Sequence, residues 1–167
     1  FIGTQVFKLT SSQVGIYFAA PALGYGLGNY LSGRFSVRVG MNRMVLYGTL
    51  TTTMGLALLA GLTALGLHSP NIFFGLIVAV GLGNGMTLPN ANAGIMSIKP
   101  ELAGTASGLG GAITLGGGAA LAALAGAVLR PGSDEMPLIA IMFLSSLASV
   151  LAIMAVIRRA RRLGITP

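Results

Sequence analysis

The chain has 167 residues, of which 54% are hydrophobic and only 8% are charged, and its mean hydropathy is +0.85. An ordinary soluble domain has about 25% charged residues, so this composition argues against a soluble globular protein and favours a membrane protein. The formal net charge is +7, and the absence of cysteine excludes a disulfide framework and a thiolate metal site.

Residues 1–14 precede the first long apolar run, and they begin with Phe1 rather than with Met. No signal-peptide pattern stands before them, although the topology described below places them on the outer side of a membrane. We therefore expect residues 1–14 to be the end of a preceding helix and an outer loop. On this interpretation the chain is a fragment that lacks at least one earlier span.

Five stretches without a charged residue follow along the chain. Each reaches the roughly 20 residues that an α-helix needs to cross about 30 Å of hydrocarbon. They lack the polar faces at helical spacing that the helices of a soluble bundle would show. The sequence therefore predicts an all-α membrane protein with five transmembrane helices, at residues 15–33, 44–67, 71–98, 102–129 and 136–157.

In the first predicted span, three polar residues form one face at positions i, i+4 and i+7, namely Tyr25, Asn29 and Ser32. The same span carries Gly24 and Gly28, a pair of small residues at the spacing that lets two membrane helices approach closely.

The third predicted span contains a polar stretch, GNGMTLPNANAG, at residues 83–94. An unpaired polar group in the bilayer costs several kcal/mol, so these side chains should face a neighbouring helix or a water-filled cavity. Pro89 cannot donate a hydrogen bond to the carbonyl of Gly85, which predicts a kink. Two interpretations stay open, a kinked helix that lines a cavity or amides that bond across a helix interface. Asn92 lies on the other flank from three residues that share a broad face, Asn84, Thr87 and Asn90.

The fourth predicted span carries a stripe of small residues on one side of its helical wheel. Such a stripe lets another backbone come into van der Waals contact, either in static packing or in a helix that slides against its neighbour. Both interpretations are open. The stripe consists of Gly104, Gly108, Gly111, Gly118, Ala122 and Gly126.

Basic residues are concentrated on one side of the predicted topology. If the five spans alternate strictly, residues 34–43, 99–101 and 158–167 share that side, with Glu101 as its one acid. The positive-inside rule makes this side cytoplasmic, and residues 158–167 a basic cytoplasmic tail. Membrane orientation thus explains the net charge, and we expect no nucleic acid partner. Eight of the ten basic residues lie there: Arg34, Arg38, Arg43, Lys99, Arg158, Arg159, Arg161 and Arg162.

None of the five predicted spans contains Asp, Glu, Lys, Arg or His, so none has a group that could carry a proton or pair with a buried ion. The single histidine, His68, falls in a short outer loop, where we expect it to be solvated and without a partner. No Ser/His/Asp set or carboxylate pair is present. The sequence therefore predicts no enzyme activity, no metal site and no cofactor.

The segment GRFSVRVGMNR resembles the cytoplasmic loop signature of the major facilitator superfamily. Gly33, Arg38, Gly40 and Arg43 fall on that pattern, whereas Val37 stands where the signature has an acid. A charge clasp that depends on the acid is therefore not expected here.

Three further segments are similar to the carboxyl-terminal half of the Bcr/CflA drug-resistance transporters. They are GIYFAAPALGYGLGNYLSGR (15–34), GLGNGMTLPNANAGIM (81–96) and ELAGTASGL (101–109). The resemblance implies that residues 15–157 are helices eight to twelve of a twelve-helix protein, most of one of its two six-helix bundles. It also implies a bacterial inner-membrane protein that exports hydrophobic or cationic drugs in exchange for protons.

In such folds the eighth, tenth and eleventh helices contribute to the substrate cavity. The partners implied are the lipid bilayer, the missing amino-terminal bundle and a small hydrophobic or cationic substrate. Two alternatives stay open, a major facilitator for a sugar, amino acid or organic acid, and a five-helix membrane scaffold without transport. The expected lining residues are Tyr25, Asn29, Asn84, Thr87, Asn90, Thr105 and Thr114.

Overall fold

The computed structural model describes residues 1–130 and 132–164 of the chain. A π-helical turn at Ile2–Val6 precedes the first long helix, a 3₁₀ turn at Pro100–Leu102 leads into the fourth, and the described residues contain no β-strand. The predicted all-α fold class is confirmed. The five long helices are α1 (Ser11–Val39), α2 (Met41–Ala64), α3 (Pro70–Ser97), α4 (Ala103–Val128) and α5 (Met136–Arg162).

Four of these helices, α2 to α5, are long and apolar enough to cross a membrane. Helix α1 is long enough, with 29 residues, but its hydropathy is lower because Gly, Tyr and Asn interrupt its apolar residues in the segment GYGLGNY. Helix α1 packs along α3, so those interruptions include the small residues through which the two helices meet.

The prediction that residues 34–43 form a loop is wrong, because nearly all of them are helical. Helix α1 continues to Val39 and α2 begins at Met41, so that Gly40 alone connects them. Gly40 has φ +92° and ψ 141°, a backbone conformation that residues other than glycine rarely adopt. A helix of 29 residues is about 43 Å long and exceeds the roughly 30 Å of hydrocarbon, so charged residues at its end can be helical and still lie in the headgroup region.

The two termini also contain more helix than expected. Helix α1 already begins at Ser11, and a capping box stabilises its first turn. Thr10 Oγ1 accepts a hydrogen bond from the backbone N–H of Gln13, and the Gln13 side-chain oxygen accepts one from the backbone N–H of Thr10. At the other end, α5 takes in residues 158–162 of the predicted tail. Residues 165–167 of that tail lie outside the described residues.

Helix α3 lies at the centre of the packing, with α1 and α2 against two of its sides, while α5 packs on α2. Glycines bring the backbones together at both α3 interfaces. A side chain at any of these positions would collide with the neighbouring helix, so Gly24 and Gly28 allow the close approach of α1 to α3 that their spacing predicts. The glycines at the α1–α3 interface are Gly24, Gly28, Gly81 and Gly85, and those at the α2–α3 interface are Gly48 and Gly83.

Helix α4 is held more loosely and has no buried residue. The side of α4 that approaches α3 is that of Gly110, where an added Cβ would come within 3.8 Å of Ile95. The glycines of the predicted small-residue stripe therefore make no close backbone contact with a described helix, contrary to the expectation. A Cβ would meet nothing within 4 Å at Gly104, Gly108, Gly111, Gly118 and Gly126.

The opposite end of the bundle from Gly40 holds an aromatic core. Tyr17 stacks on Phe74 with ring centroids 4.9 Å apart, and its hydroxyl donates to Asn71 Oδ1 at 2.6 Å. Phe73 and Phe74 are buried there. This core joins the start of α1, the start of α3 and the π-helical turn.

The expectation that His68 has no partner is wrong. His68 Nδ1 lies 2.9 Å from Glu135 Oε1, and Glu135, which directly precedes α5, is only 1% exposed. This contact joins the α2–α3 connection to the α4–α5 connection. Sixty-seven residues separate the two partners, so no local pattern could have paired them.

Candidate substrate-binding site

A polar groove opens between α1, α3 and α4, and we call it the α3–α4 groove. Its volume is about 520 Å³, within the range of about 300–1,000 Å³ that is typical of small-molecule sites. The lining combines aromatic, amide, hydroxyl, thioether and aliphatic groups and has no charged residue. It consists of Tyr25, Asn29, Leu88, Pro89, Asn92, Met96, Ser107, Gly111, Thr114 and Leu115.

Two of the polar side chains in the α3–α4 groove are oriented by their own helices. Asn29 Nδ2 donates to the backbone carbonyl of Tyr25 at 3.1 Å, and Thr114 Oγ1 donates to the carbonyl of Gly110 at 2.8 Å. The Asn29 side-chain oxygen accepts no hydrogen bond from a described residue, so it can accept one from a ligand. The Tyr25 side chain is 41% exposed and the Asn92 side chain is exposed, so both are accessible to a ligand.

A second cavity, the hydroxyl-lined cavity, lies on another side of α3 between α2, α3, α4 and α5. Its volume is about 430 Å³. Thr53 Oγ1 donates to Ser146 Oγ at 3.1 Å and so links α2 to α5, whereas the buried Thr52 hydroxyl has no hydrogen-bond partner among the described residues. The polar lining residues are Thr49, Thr52, Asn84, Thr87, Ser145, Ser146 and Ser149.

Five of the seven expected lining residues are thus divided between two cavities rather than brought together. The α3–α4 groove takes Tyr25, Asn29 and Thr114, and the hydroxyl-lined cavity takes Asn84 and Thr87. Thr105 is exposed on α4 and lines neither cavity. Side chains of a helix are about 100° apart per residue, so α3 presents Asn84 and Asn92 on different sides.

Asn90 was expected to line the cavity, and the structure corrects this. The side chain is 4% exposed, and its Nδ2 donates both to Ser32 Oγ and to the Met86 carbonyl, each at 2.7 Å. Ser32 is buried as well, so it does not line the groove with Tyr25 and Asn29, the other two residues of the polar face predicted for the first span. Of the two interpretations of the polar stretch, the bond across a helix interface describes Asn90.

Pro89 lies in the wall of the α3–α4 groove, and α3 continues through it without interruption from Pro70 to Ser97. Several lining residues were not expected. Asn92 and Ser107 also line the α3–α4 groove, beside the polar residues that were expected there. Ser145 and Ser149 have a signal in the sequence, since two serines four residues apart mark one face of an otherwise apolar helix.

A third cavity contains most of the loop signature. Arg38, Gly40 and Arg43 line it together with the end of α5, and its volume is about 730 Å³. Gly33 lies elsewhere, inside α1, where an added Cβ would meet nothing within 4 Å. We call this third cavity the basic pocket.

Long apolar helices, with two cavities between them that no charged residue lines, are typical of a multi-pass membrane protein. The family model described as Major Facilitator Superfamily matches residues 2–165. The chain belongs to the major facilitator superfamily, and it is a membrane transporter protein of that superfamily. No curated protein and no solved structure matched the chain.

Proposed function

We propose that this chain forms most of the carboxyl-terminal bundle of a Bcr/CflA-type multidrug transporter, which exports hydrophobic or cationic drugs by proton antiport across a bacterial inner membrane. The α3–α4 groove is its half of the substrate cavity. The observation that carries the proposal is the lining of this groove, which joins Tyr25, two asparagine amides and Met96 without any charged side chain.

The chemistry of the lining fits substrates of that class. The face of a tyrosine ring attracts a cation, by about 0.5–2 kcal/mol depending on how far the pair is desolvated. Methionine is flexible and polarizable, so it adapts to apolar groups of different shapes. The amides of Asn29 and Asn92 supply both donors and acceptors, and they do so without the positive charge that would repel a cationic drug.

The remaining wall of the cavity comes from an amino-terminal bundle. Alternating access in this superfamily rocks one bundle against the other around a site near the midplane of the membrane. Helix α4 supports this arrangement because it buries no residue and leaves its small-residue stripe without a partner among the described helices. No acidic or basic residue lines the groove, so the proton-carrying group belongs to the other bundle.

The orientation follows from the positive-inside rule. The basic pocket brings the connection between α1 and α2 beside the end of α5, so two of the three basic segments share one end of the bundle. We assign that end, and with it the carboxyl terminus, to the cytoplasm.

A neutral solute such as a sugar is the second candidate. The hydrogen-bonding groups of the α3–α4 groove favour it, because amides and hydroxyls pair well with the hydroxyl groups of a sugar. An organic acid is disfavoured, since no cation lines the groove to receive its carboxylate. Membership of the superfamily favours transport over a scaffold role.

Two asparagines on the same helix provide the test. Asn92 lies in the wall of the α3–α4 groove, whereas Asn84 lies in the wall of the hydroxyl-lined cavity. Both side chains are exposed. In the full-length transporter, Asn92→Ala should slow the extrusion of a fluorescent cationic dye by roughly threefold to tenfold, which is the loss of about one hydrogen bond. The matched variant Asn84→Ala should leave extrusion within about twofold of wild type, at equal protein level.

The reverse pattern, in which Asn84→Ala slows extrusion and Asn92→Ala does not, would move the substrate site to the hydroxyl-lined cavity. Uptake of labelled sugars is measured in parallel with both variants. Loss of sugar uptake in Asn92→Ala with no dye extrusion by the wild type would decide for the second candidate.

A further inference from the structure

The basic pocket lies at the end of the bundle where α1 ends, α2 begins and α5 ends. Its lining of thirteen residues includes four arginines and no acidic residue. The arginines come from all three helices: Arg38 from α1, Arg43 from α2, and Arg158 and Arg161 from α5.

No carboxylate among the described residues forms an ion pair with these four arginines. Among residues 1–130 and 132–164, the one contact between an acidic side chain and a basic or histidine side chain is that of Glu135 with His68, at the other end of the bundle. Asp134 stands beside Glu135, before α5 begins, and the remaining acid, Glu101, lies in the turn that leads into α4. Bringing like charges around one cavity is unfavourable, and an anion inside the cavity would relieve their repulsion.

The same pocket has an apolar wall. On α5, Met154 and Ile157 are half-buried and lie on the same helical face as Arg158 and Arg161, at positions i, i+3, i+4 and i+7. On α2, Leu46 and Tyr47 continue the wall away from the arginines, and Tyr47 is 49% exposed at its edge. Tyrosine is enriched at the level of the lipid headgroups.

Membrane orientation does not require this arrangement. Arg159 and Arg162 lie at the same end of α5, and they contribute the same positive charge from outside the pocket. Four arginines that line one concavity, beside an apolar wall that runs along two membrane helices, give it the composition of a site for a molecule with an anionic head and an apolar chain. Guanidinium groups bind phosphate in a bidentate manner.

We propose that the basic pocket binds an anionic phospholipid of the surrounding bilayer, with its phosphate among the four arginines and an acyl chain along Leu46, Met154 and Ile157. Basic pockets between membrane helices are a recognised form of lipid headgroup site. The site would tie the turn at Gly40 to the end of α5, two segments that are far apart along the chain. It is separate from the α3–α4 groove and does not depend on which solute is transported.

The test uses the full chain in a neutral detergent, with bound lipid counted by native mass spectrometry during titration. The probes are dioleoyl phosphatidylglycerol, which is anionic, and dioleoyl phosphatidylcholine, which is zwitterionic with the same chains. We expect the anionic lipid to bind at least tenfold more tightly. The double variant Arg158→Gln with Arg161→Gln should weaken its binding by roughly tenfold to thirtyfold.

The matched control is Arg159→Gln with Arg162→Gln, which removes the same charge from the same end of α5 but outside the pocket. It should keep the affinity for phosphatidylglycerol within about threefold of wild type. A second pocket variant, Arg158→Lys with Arg161→Lys, keeps the charge but not the planar fork, and its affinity should fall between those of wild type and the Gln pair.

Three results would overturn the proposal. The first is equal binding of the two lipids by the wild type. The second is an equal loss of binding in both Gln pairs, which would assign the effect to net charge rather than to the pocket. The third is displacement of phosphatidylglycerol by glycerol 3-phosphate at a similar concentration, which would make the pocket a site for soluble phosphates instead of a lipid.

Discussion

Substitution of Gly85 by alanine tests the central packing of the bundle. A Cβ at this position would lie 2.8 Å from the backbone nitrogen of Asn29 and 3.0 Å from the carbonyl carbon of Gly28, and it would also collide with the carbonyl oxygen of Tyr25. All three obstacles are backbone atoms of α1, so no side chain can rotate to make room. Helix α1 itself must move away from α3.

The expected cost follows from this geometry. Carbon atoms pack at about 3.5–4.0 Å, so α1 must move away from α3 by roughly 0.5–1 Å. A gap of that size removes about a quarter to a half of the dispersion energy of each contact along the interface. Overpacking costs about 1–3 kcal/mol, and a clash with backbone belongs at the upper end. Alanine gains at most about 1 kcal/mol of helix propensity over glycine. We expect a net loss of about 2 kcal/mol.

Thermal unfolding in detergent, followed by circular dichroism at 222 nm, measures this loss. A net loss of about 2 kcal/mol should lower the midpoint by roughly 4–8 °C for a chain of this size. Gly94 is the matched control because it lies on the same helix and an added Cβ there would meet nothing within 4 Å. Gly94→Ala should therefore keep or raise the midpoint. An unchanged midpoint in Gly85→Ala, or an equal fall in both variants, would refute the backbone contact between α1 and α3.

Two further predictions concern polar contacts. Asn90→Leu removes the hydrogen bond that the buried Ser32 Oγ accepts from Asn90, while the contact of Ser32 Oγ with Ser36 Oγ at 3.3 Å remains. The lost bond should cost about 1 kcal/mol, seen as a lower protein level and a lower midpoint, whereas a fully stable variant that fails to transport would place Asn90 in the substrate cavity. His68→Ala and Glu135→Ala, made singly and together, should show a coupling free energy of about 0.5–2 kcal/mol in the same unfolding assay. If the stability losses of the two single variants add up to that of the double variant, the contact contributes nothing to stability.

The helices and the membrane class were predictable from the sequence. A stretch of about 20 residues without charge is a local property, and the thickness of the hydrocarbon layer converts it directly into a spanning helix. For this reason α2, α3 and α4 begin and end within three residues of the predicted spans. The bounds of α1 and α5 were less predictable, because a helix continues into the headgroup region wherever its charged side chains reach water.

The identity of the site residues was predictable only in part. Tyr25 and Asn29 share one face of α1, and both line the α3–α4 groove. On α3, the sequence correctly marked an unusually polar stretch, but it did not distinguish Asn92 in the groove from Asn90 in the helix interface. Spacing along a helix determines the angle between two side chains, but it leaves open how the helix is rotated toward its neighbours.

That rotation was decided by the tertiary structure, for a reason specific to membranes. In water, an apolar face must turn inward, so the sequence of a helix reveals its orientation; in lipid, an apolar face is equally stable against a neighbour or against acyl chains. Packing alone then selects the contacts, and it joined Gly85 of α3 to α1 while leaving the equally glycine-rich stripe at Gly108 of α4 without a partner among the described helices. The sequence determined that these helices lie in a membrane, and close contact between their backbones determined which of their faces meet.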